Sequence, residues 1–92
     1  MQTKICKVIA QTEAVYVQSK KSENGQTAKC FIRLRELGGN YEDEYQCTVL
    51  GDLALKKFTP GTIVAAGLRY STHENNGTIY QDILANEIVP LN

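Results

Sequence analysis

The 92-residue chain is poor in the residues from which catalytic and metal sites are assembled. It has one histidine, His73, no tryptophan, and three cysteines at positions 6, 30 and 47 without a Cys-x-x-Cys pair. A nucleophile with its base, or a zinc site with closely spaced ligands, is therefore not expected. Phosphate-binding loops, Gly-x-Ser-x-Gly and His-Glu-x-x-His motifs are also missing from the sequence. We expect a protein that is not an enzyme and that needs no metal or cofactor.

The chain also lacks net charge, since ten basic residues balance ten acidic ones. This balance argues against a polyanionic ligand, although a local basic stripe can still bind one. No apolar run is long enough for a secretory signal peptide or a transmembrane helix. The cysteines lie inside apparent strands and are expected to be buried thiols rather than disulfides or metal ligands. These features predict a cytoplasmic protein.

A short helical segment after residue 50 determines the fold prediction. Asp52 is expected to cap a helix that reaches Phe58. Pro60 and Gly61 are expected to end it, because proline disfavours helical geometry in the preceding residue and glycine tolerates turn dihedrals. Three strands are predicted before this helix and two after it. The prediction is an all-β fold, a five-stranded OB-fold barrel with a short helix between strands 3 and 4, formed by residues 1–92 as a single domain.

The predicted strands cover residues 4–18, 27–37, 41–50, 62–71 and 78–91, with a break in the first strand at residues 11–13. Loops are predicted at residues 19–26, 38–40 and 73–77. Gly67, inside the fourth strand, suggests a bend at a barrel corner or a close backbone approach. Gln81 falls on the inward parity of the fifth strand and suggests a bulge there.

Alternation along the second strand separates a buried face from a solvent face. Cys30, Ile32 and Leu34 are predicted to face inward. The opposite face carries Lys29, Phe31, Arg33 and Arg35. Guanidinium groups pair with phosphates and an exposed ring can stack on a base, so this face is a candidate nucleic-acid-binding surface. The alternative is an ordinary solvated face with Phe31 tucked against a loop.

The same parity rule predicts which residues of the other strands face inward and outward. The predicted inward residues are Tyr45, Cys47, Val49, Val64, Ala66, Leu68, Ile79, Ile83 and Ala85. Arg69 is predicted to face outward. Tyr70 and Tyr80 flank the second hairpin loop, either as half-buried residues at the barrel end or as stacking platforms. The acidic residues 42–44 are either a solubilising surface or a contact for a basic partner.

From residue 24 onward the chain resembles the bacterial single-stranded DNA-binding protein family. The segments that resemble it are N-G-Q-T-A-K-C-F-I-R-L at 24–34, Y-Q-C-T-V-L-G-D-L-A at 45–54, P-G-T-I-V-A-A-G-L-R at 60–69 and N-G-T-I-Y-Q-D-I-L-A-N-E-I-V-P-L at 76–91. Departures are the missing tryptophan, Pro60 where the family has lysine, and the acidic cluster. The chain looks like a short, tailless, divergent member, similar in layout to tailless primosomal replication proteins.

The resemblance implies an OB-fold that holds single-stranded DNA on aromatic rings, with lysines and arginines on the phosphates, often as a homodimer or higher homo-oligomer. By position it adds Tyr45 and places Tyr70, His73 and Tyr80 around the last hairpin. The expected nucleic-acid-binding residues are Lys29, Phe31, Arg33, Arg35, Tyr45, Arg69, Tyr70 and Tyr80. RNA is a possible ligand, and no membrane partner is expected. The alternative function is an OB-fold protein–protein interaction module with little or no nucleic-acid affinity.

Overall fold

The computed structural model describes residues 2–19, 25–38 and 42–91. Over these ranges the chain forms six strands and one short helix, and the predicted all-β class is confirmed. The elements are β1 Gln2–Gln11, β2 Val15–Gln18, β3 Gln26–Glu36, β4 Glu44–Leu50, α1 Asp52–Leu55, β5 Ile63–Asn75 and β6 Thr78–Pro90. Most of the loop predicted at 19–26, including Lys20 and Lys21, and part of the loop predicted at 38–40 lie outside the described residues.

The strands form one sheet in the order β1-β5-β6-β4-β3-β2. Because β1 also pairs with β3, the sheet closes in a ring of β1, β5, β6, β4 and β3. Neighbouring strands are antiparallel, except that β4 and β6 are parallel and are joined at Thr48 and Leu84. The ring therefore brings residues from the middle and the end of the chain onto one continuous surface.

The predicted single first strand is two strands, β1 and β2, and the break lies at residues 12–14. Both strands pair with β3, so they follow one path along it. At the break, the backbone amide of Thr12 donates to the carbonyl of Phe31, and the amide of Phe31 donates to Oγ1 of Thr12, each at 2.9 Å. The threonine hydroxyl thus replaces a backbone partner and fixes the corner against the middle of β3.

The helix is shorter than predicted, because Lys56 is already extended with φ −80° and ψ 134°. The prediction that it reaches Phe58 and is ended by the Pro60 turn is therefore wrong. The side chain of Gln11 explains the early end: its Nε2 donates to the carbonyl of Lys56 and its Oε1 accepts from the amide of Phe58, both at 2.8 Å. These bonds satisfy backbone groups outside the helix.

Asp52 is not the helix cap. Gly51 occupies the N-cap position with φ 72°, a value that glycine tolerates, and no side chain caps the helix. Asp52 is instead the first helical residue, where its carboxylate is favourable near the helix N-terminus. Within the described ranges, no helix has the length and apolar character needed to cross a membrane.

The core lies inside the ring and confirms most of the parity prediction. Its buried residues are Cys6, Val8, Ala28, Cys30, Ile32, Leu34, Cys47, Val49, Ala54, Val64, Ala66, Leu68, Ala85 and Ile88. The three cysteines are buried free thiols, as predicted. Burial raises the pKa of Cys6 and raises that of Cys47 to about 12. These thiols therefore contribute to the core as small apolar groups.

The β5–β6 hairpin differs from the prediction in its turn and its bulge. The turn is the two residues Asn76 and Gly77, with φ 53° and 80°, rather than a loop starting at His73. The register shift lies between Gly67 and Leu68, so the bulge predicted at Gln81 is wrong.

Ile79 was predicted to face inward, but it is 69% exposed. The reason is that β1 pairs with β5 only as far as Leu68, so the part of the hairpin beyond that residue extends away from the ring. Ile79 lies on the same face of β6 as the core residues, but in this part of the hairpin that face contacts solvent.

Candidate binding groove

An open groove of about 670 Å³ lies on the outer face of the sheet. Residues of β2 and β3 form one wall, and the β5–β6 hairpin forms the other. Three predicted site residues, Lys29, Phe31 and Arg69, line it. The ring closure between β4 and β6 is what brings β3 and β5 to the same groove, since these strands are not neighbours in the sheet.

A row of paired residues crosses the floor of this groove. Phe31 pairs with Thr48, Thr48 with Leu84, and Leu84 with Arg69. Paired residues on adjacent strands present their side chains on the same face, so an aromatic ring and a guanidinium group stand at the two ends of one row. Three strand spacings separate them, which is about 14 Å. The groove therefore offers a stacking surface at one end of the row and a cation at the other end, and one extended ligand could contact both.

The ring of Phe31 is exposed, as the parity of β3 predicted. It is 38% exposed, and Nζ of Lys29 lies 5.2 Å from its centroid, within the range of a cation–π contact. Its backbone is held on one side by Thr12 and on the other by the β4 ladder. A ring on a rigid strand loses little conformational freedom when a ligand stacks on it. Among the described residues, Lys29 and Arg69 form no ion pair.

Arg33 and Arg35 also face solvent, but they lie outside the groove and pair with carboxylates. Nη2 of Arg35 lies 2.5 Å from Oε2 of Glu44, and its Nε donates to the same oxygen at 3.0 Å. Nε of Arg33 lies 3.8 Å from Glu44, and Nε of Arg35 lies 3.9 Å from Glu42. The hydrogen bond with Glu44 raises the pKa of Arg35, and the same bond lowers that of Glu44. Two residues of the acidic cluster, Glu42 and Glu44, therefore form ion pairs with arginines of their own chain.

Tyr45 does not reach the groove. It pairs with Leu34 on the inward parity, packs against the core, and its hydroxyl donates to Oε2 of Glu36 at 2.7 Å. Lys4 lies 3.6 Å from the other oxygen of that carboxylate. The hydrogen bond to Glu36, aided by burial, raises the pKa of Tyr45. The side chain thus links β3 to β4 on the side away from the candidate ligand.

Tyr70 and Tyr80, the other two tyrosines predicted to bind, lie on opposite faces of the hairpin. Tyr70 pairs with Ile83 on the face opposite Arg69, so the structure does not bring it to the groove. Tyr80 pairs with His73, which lines the groove, and is 53% exposed. Of the two tyrosines that flank the turn, only Tyr80 shares a face with the groove residues.

The groove residues that sequence reasoning missed include Ser71 and Asp82, which pair with each other across the hairpin. The Asn76–Gly77 turn was the available signal, because a two-residue turn fixes this register. Nε2 of His73 lies 3.1 Å from Asp82 and 3.4 Å from Oγ of Ser71. Both contacts use the same nitrogen, whereas a hydrolase triad uses one ring nitrogen for each partner. The cluster is thus a polar part of the groove wall and not a charge-relay arrangement.

In the part of the chain that the structure describes, no three histidine, cysteine, aspartate or glutamate residues come together as a metal site. No protein-family model matches the sequence, and no curated protein is significantly similar to it. The functional argument therefore depends on the geometry of the groove.

Proposed function

We propose that this chain is a non-catalytic single-stranded DNA-binding protein and that the strand lies in the groove. The observation that carries the proposal is the row from Phe31 through Thr48 and Leu84 to Arg69. Proteins that bind single strands without sequence preference combine aromatic stacking platforms with cations that follow the backbone. The ring of Phe31 supplies the first element, and Arg69 and Lys29 supply the second.

An OB-fold barrel is the fold that we propose for the ring of strands. Supporting features are the interrupted first strand shared by two neighbours, and the short helix between the third and fourth strands of the ring. Oligonucleotides bind OB-folds on the face of strands 2 and 3, between the loops that join strands 1–2 and 4–5. The groove occupies the corresponding place, on β3 and β4 beside the β5–β6 hairpin. Kinship with the bacterial single-stranded DNA-binding family remains part of this proposal.

A fluorescence titration of a labelled oligothymidine against salt tests the function. Two groove cations, Lys29 and Arg69, predict a slope of log K against log salt of about −1.4, because each phosphate contact to a single strand contributes about 0.7. Absence of binding at low salt contradicts the proposal.

Phe31→Ala tests the stacking platform. Stacking contributes about 1–3 kcal/mol per base, so affinity should fall about five- to a hundredfold while the fold is retained. Tyr16→Ala is the matched control, because Tyr16 is an exposed ring, 62% accessible, that does not line the groove. If Phe31→Ala instead lowers Tm sharply and spares affinity, the ring serves the core and the binding face lies elsewhere.

A protein–protein interaction module is the second candidate function, and one observation favours it. Glu44 and Glu42 already neutralise Arg33 and Arg35, which leaves less positive charge on this surface than the sequence suggested. The same titration separates the two functions, because a protein-interaction module with little or no nucleic-acid affinity need not show a steep salt slope with oligothymidine.

We also propose that the chain forms a homodimer or higher homo-oligomer. An apolar row, Ile5–Ala65–Val89, crosses β1, β5 and β6 outside the groove, and Ile5 and Val89 are 45% and 52% exposed. Exposed apolar surface of this kind is often covered by another chain. Light scattering should show a dimer at tens of micromolar, roughly the range in which a modest interface assembles. The Val89→Lys variant should have the mass of a monomer, whereas the wild type should have that of a dimer. A wild type with the mass of a monomer contradicts the proposal.

A further inference from the structure

A second, smaller cavity of about 310 Å³ adjoins the groove at the corner between β1 and β2. Glu13 and Val15 line it from the corner. Val17, Lys29 and Phe31 line both this cavity and the groove. The two cavities therefore adjoin at these three residues, so a ligand that contacts Phe31 in the groove lies beside the smaller cavity.

The size and walls of the cavity suit one planar ring system. Its volume is at the lower end of the range for small-molecule pockets, about 300–1,000 Å³, so it is too small for a bulky ligand. Two valines and the Phe31 ring provide apolar walls. Thr12 holds the corner to the backbone of Phe31, so the pocket is built on hydrogen-bonded elements. A single nucleobase of a strand in the groove fits this description.

Two charged groups give the pocket a polar edge. Glu13 is an acceptor among the lining residues with a side chain that is 85% exposed, and its oxygens lie 3.4 Å from Nζ of Lys57, which is also largely exposed. This long contact leaves the carboxylate able to accept a further hydrogen bond. The ammonium of Lys29, which also lines the pocket, is a donor.

We propose that this cavity is a nucleobase subsite that prefers cytosine to thymine, with Glu13 accepting a hydrogen bond from the N4 amino group. A carboxylate is the usual acceptor for that group, whereas the O4 carbonyl of thymine would place one acceptor against another. Lys29 can donate to the O2 carbonyl of the same base. This proposal rests on the proposed function, because it assigns a base to the strand in the groove.

The test compares oligocytidine and oligothymidine of equal length with the intact chain at one salt concentration and pH 7.5. We expect oligocytidine to bind about three- to tenfold more tightly, the gain of one hydrogen bond to a largely exposed charged acceptor. Glu13→Gln should reduce this ratio to near one, because an amide can donate to O4 as well as accept from N4. Glu87→Gln is the control: it removes the same charge from a residue that lines neither cavity, and it should leave the ratio unchanged.

The outcomes distinguish the subsite from the function on which it rests. Equal binding of the two oligonucleotides by the wild type overturns the subsite and leaves DNA binding intact. A preference that persists in Glu13→Gln also overturns the role of this carboxylate. Absence of binding to both oligonucleotides overturns the subsite together with the proposed function.

Discussion

Removing the carboxylates that neutralise Arg33 and Arg35 should strengthen DNA binding. Glu44 contacts both guanidinium groups, and Glu42 contacts Arg35, so the double variant Glu42→Gln with Glu44→Gln releases both cations. Glutamine keeps the size of the side chain and removes its charge. The released arginines lie on the same face of β3 as Phe31, where a strand leaving the groove can reach them.

The size of the effect follows from counterion release. Two additional phosphate contacts steepen the slope of log K against log salt by about 1.4, from about −1.4 to about −2.8. The advantage over the wild type should therefore grow by about 25-fold for each tenfold reduction in salt. The single variant Glu44→Gln should give an intermediate slope, because Glu42 still lies 3.9 Å from Arg35.

The assay is a salt series of oligothymidine titrations with the wild type, the single variant and the double variant. The charge control is Glu74→Gln with Glu87→Gln, which changes the net charge equally at carboxylates that form no ion pair with Arg33 or Arg35. A double variant whose slope equals that of this control refutes the reasoning, since the arginines would then not contact phosphate.

The same ion pairs should be visible in the pH dependence of stability. The hydrogen bond from Arg35 holds the pKa of Glu44 below the ordinary value of 4.5 in the folded state. The pair therefore stabilises the fold above that value, and its contribution is lost as the pH falls through the lower folded-state pKa. Glu44→Gln should be less stable than the wild type at pH 7 and should converge with it in acid, as measured by urea unfolding. A constant difference at all pH values contradicts this assignment.

Three further predictions concern the groove and the core. Arg69→Gln should reduce the magnitude of the salt slope by about 0.7, while Lys7→Gln, outside the groove, should cause only a smaller uniform loss of affinity. Tyr45→Phe removes the hydrogen bond to Glu36 and should cost about 1 kcal/mol in denaturant unfolding, with oligothymidine affinity unchanged. The thiol of Cys47, fully buried and with its pKa raised to about 12, should react with a thiol reagent only as fast as the protein unfolds; rapid reaction of the native protein would contradict its burial.

Local patterns in the sequence were sufficient to predict much of the fold. The alternation along β3 assigned Ile32 and Leu34 to the core and Phe31 to solvent, because neighbouring side chains on a strand face opposite sides. The break in the first strand was predicted to within one residue, and a strand was correctly predicted after the Pro60–Gly61 turn, although it extends to Asn75 rather than to residue 71. These features depend on residues close together in the chain.

Features that depend on distant residues could not be predicted in this way. The early end of the helix depends on Gln11, which is 45 residues before Lys56. The pairing of Arg35 with Glu44 depends on the register between β3 and β4, which alternation alone does not determine.

The composition of the groove also depends on residues that are distant in the chain. It exists because Thr48 and Leu84 close the ring, a pairing between strands separated in the chain by the helix and by β5. The hairpin residues that line it follow from the two-residue turn, which the sequence prediction replaced with a longer loop.

The central claim is tested most directly by an amide chemical-shift titration of the labelled protein with oligothymidine. The largest shifts should fall on the groove residues Phe31, Thr48, Leu84 and Arg69, and the amides of the Ile5–Ala65–Val89 row should change little. Shifts concentrated on that row, or no shifts with excess oligothymidine at low salt, would contradict the proposal that the groove holds single-stranded DNA.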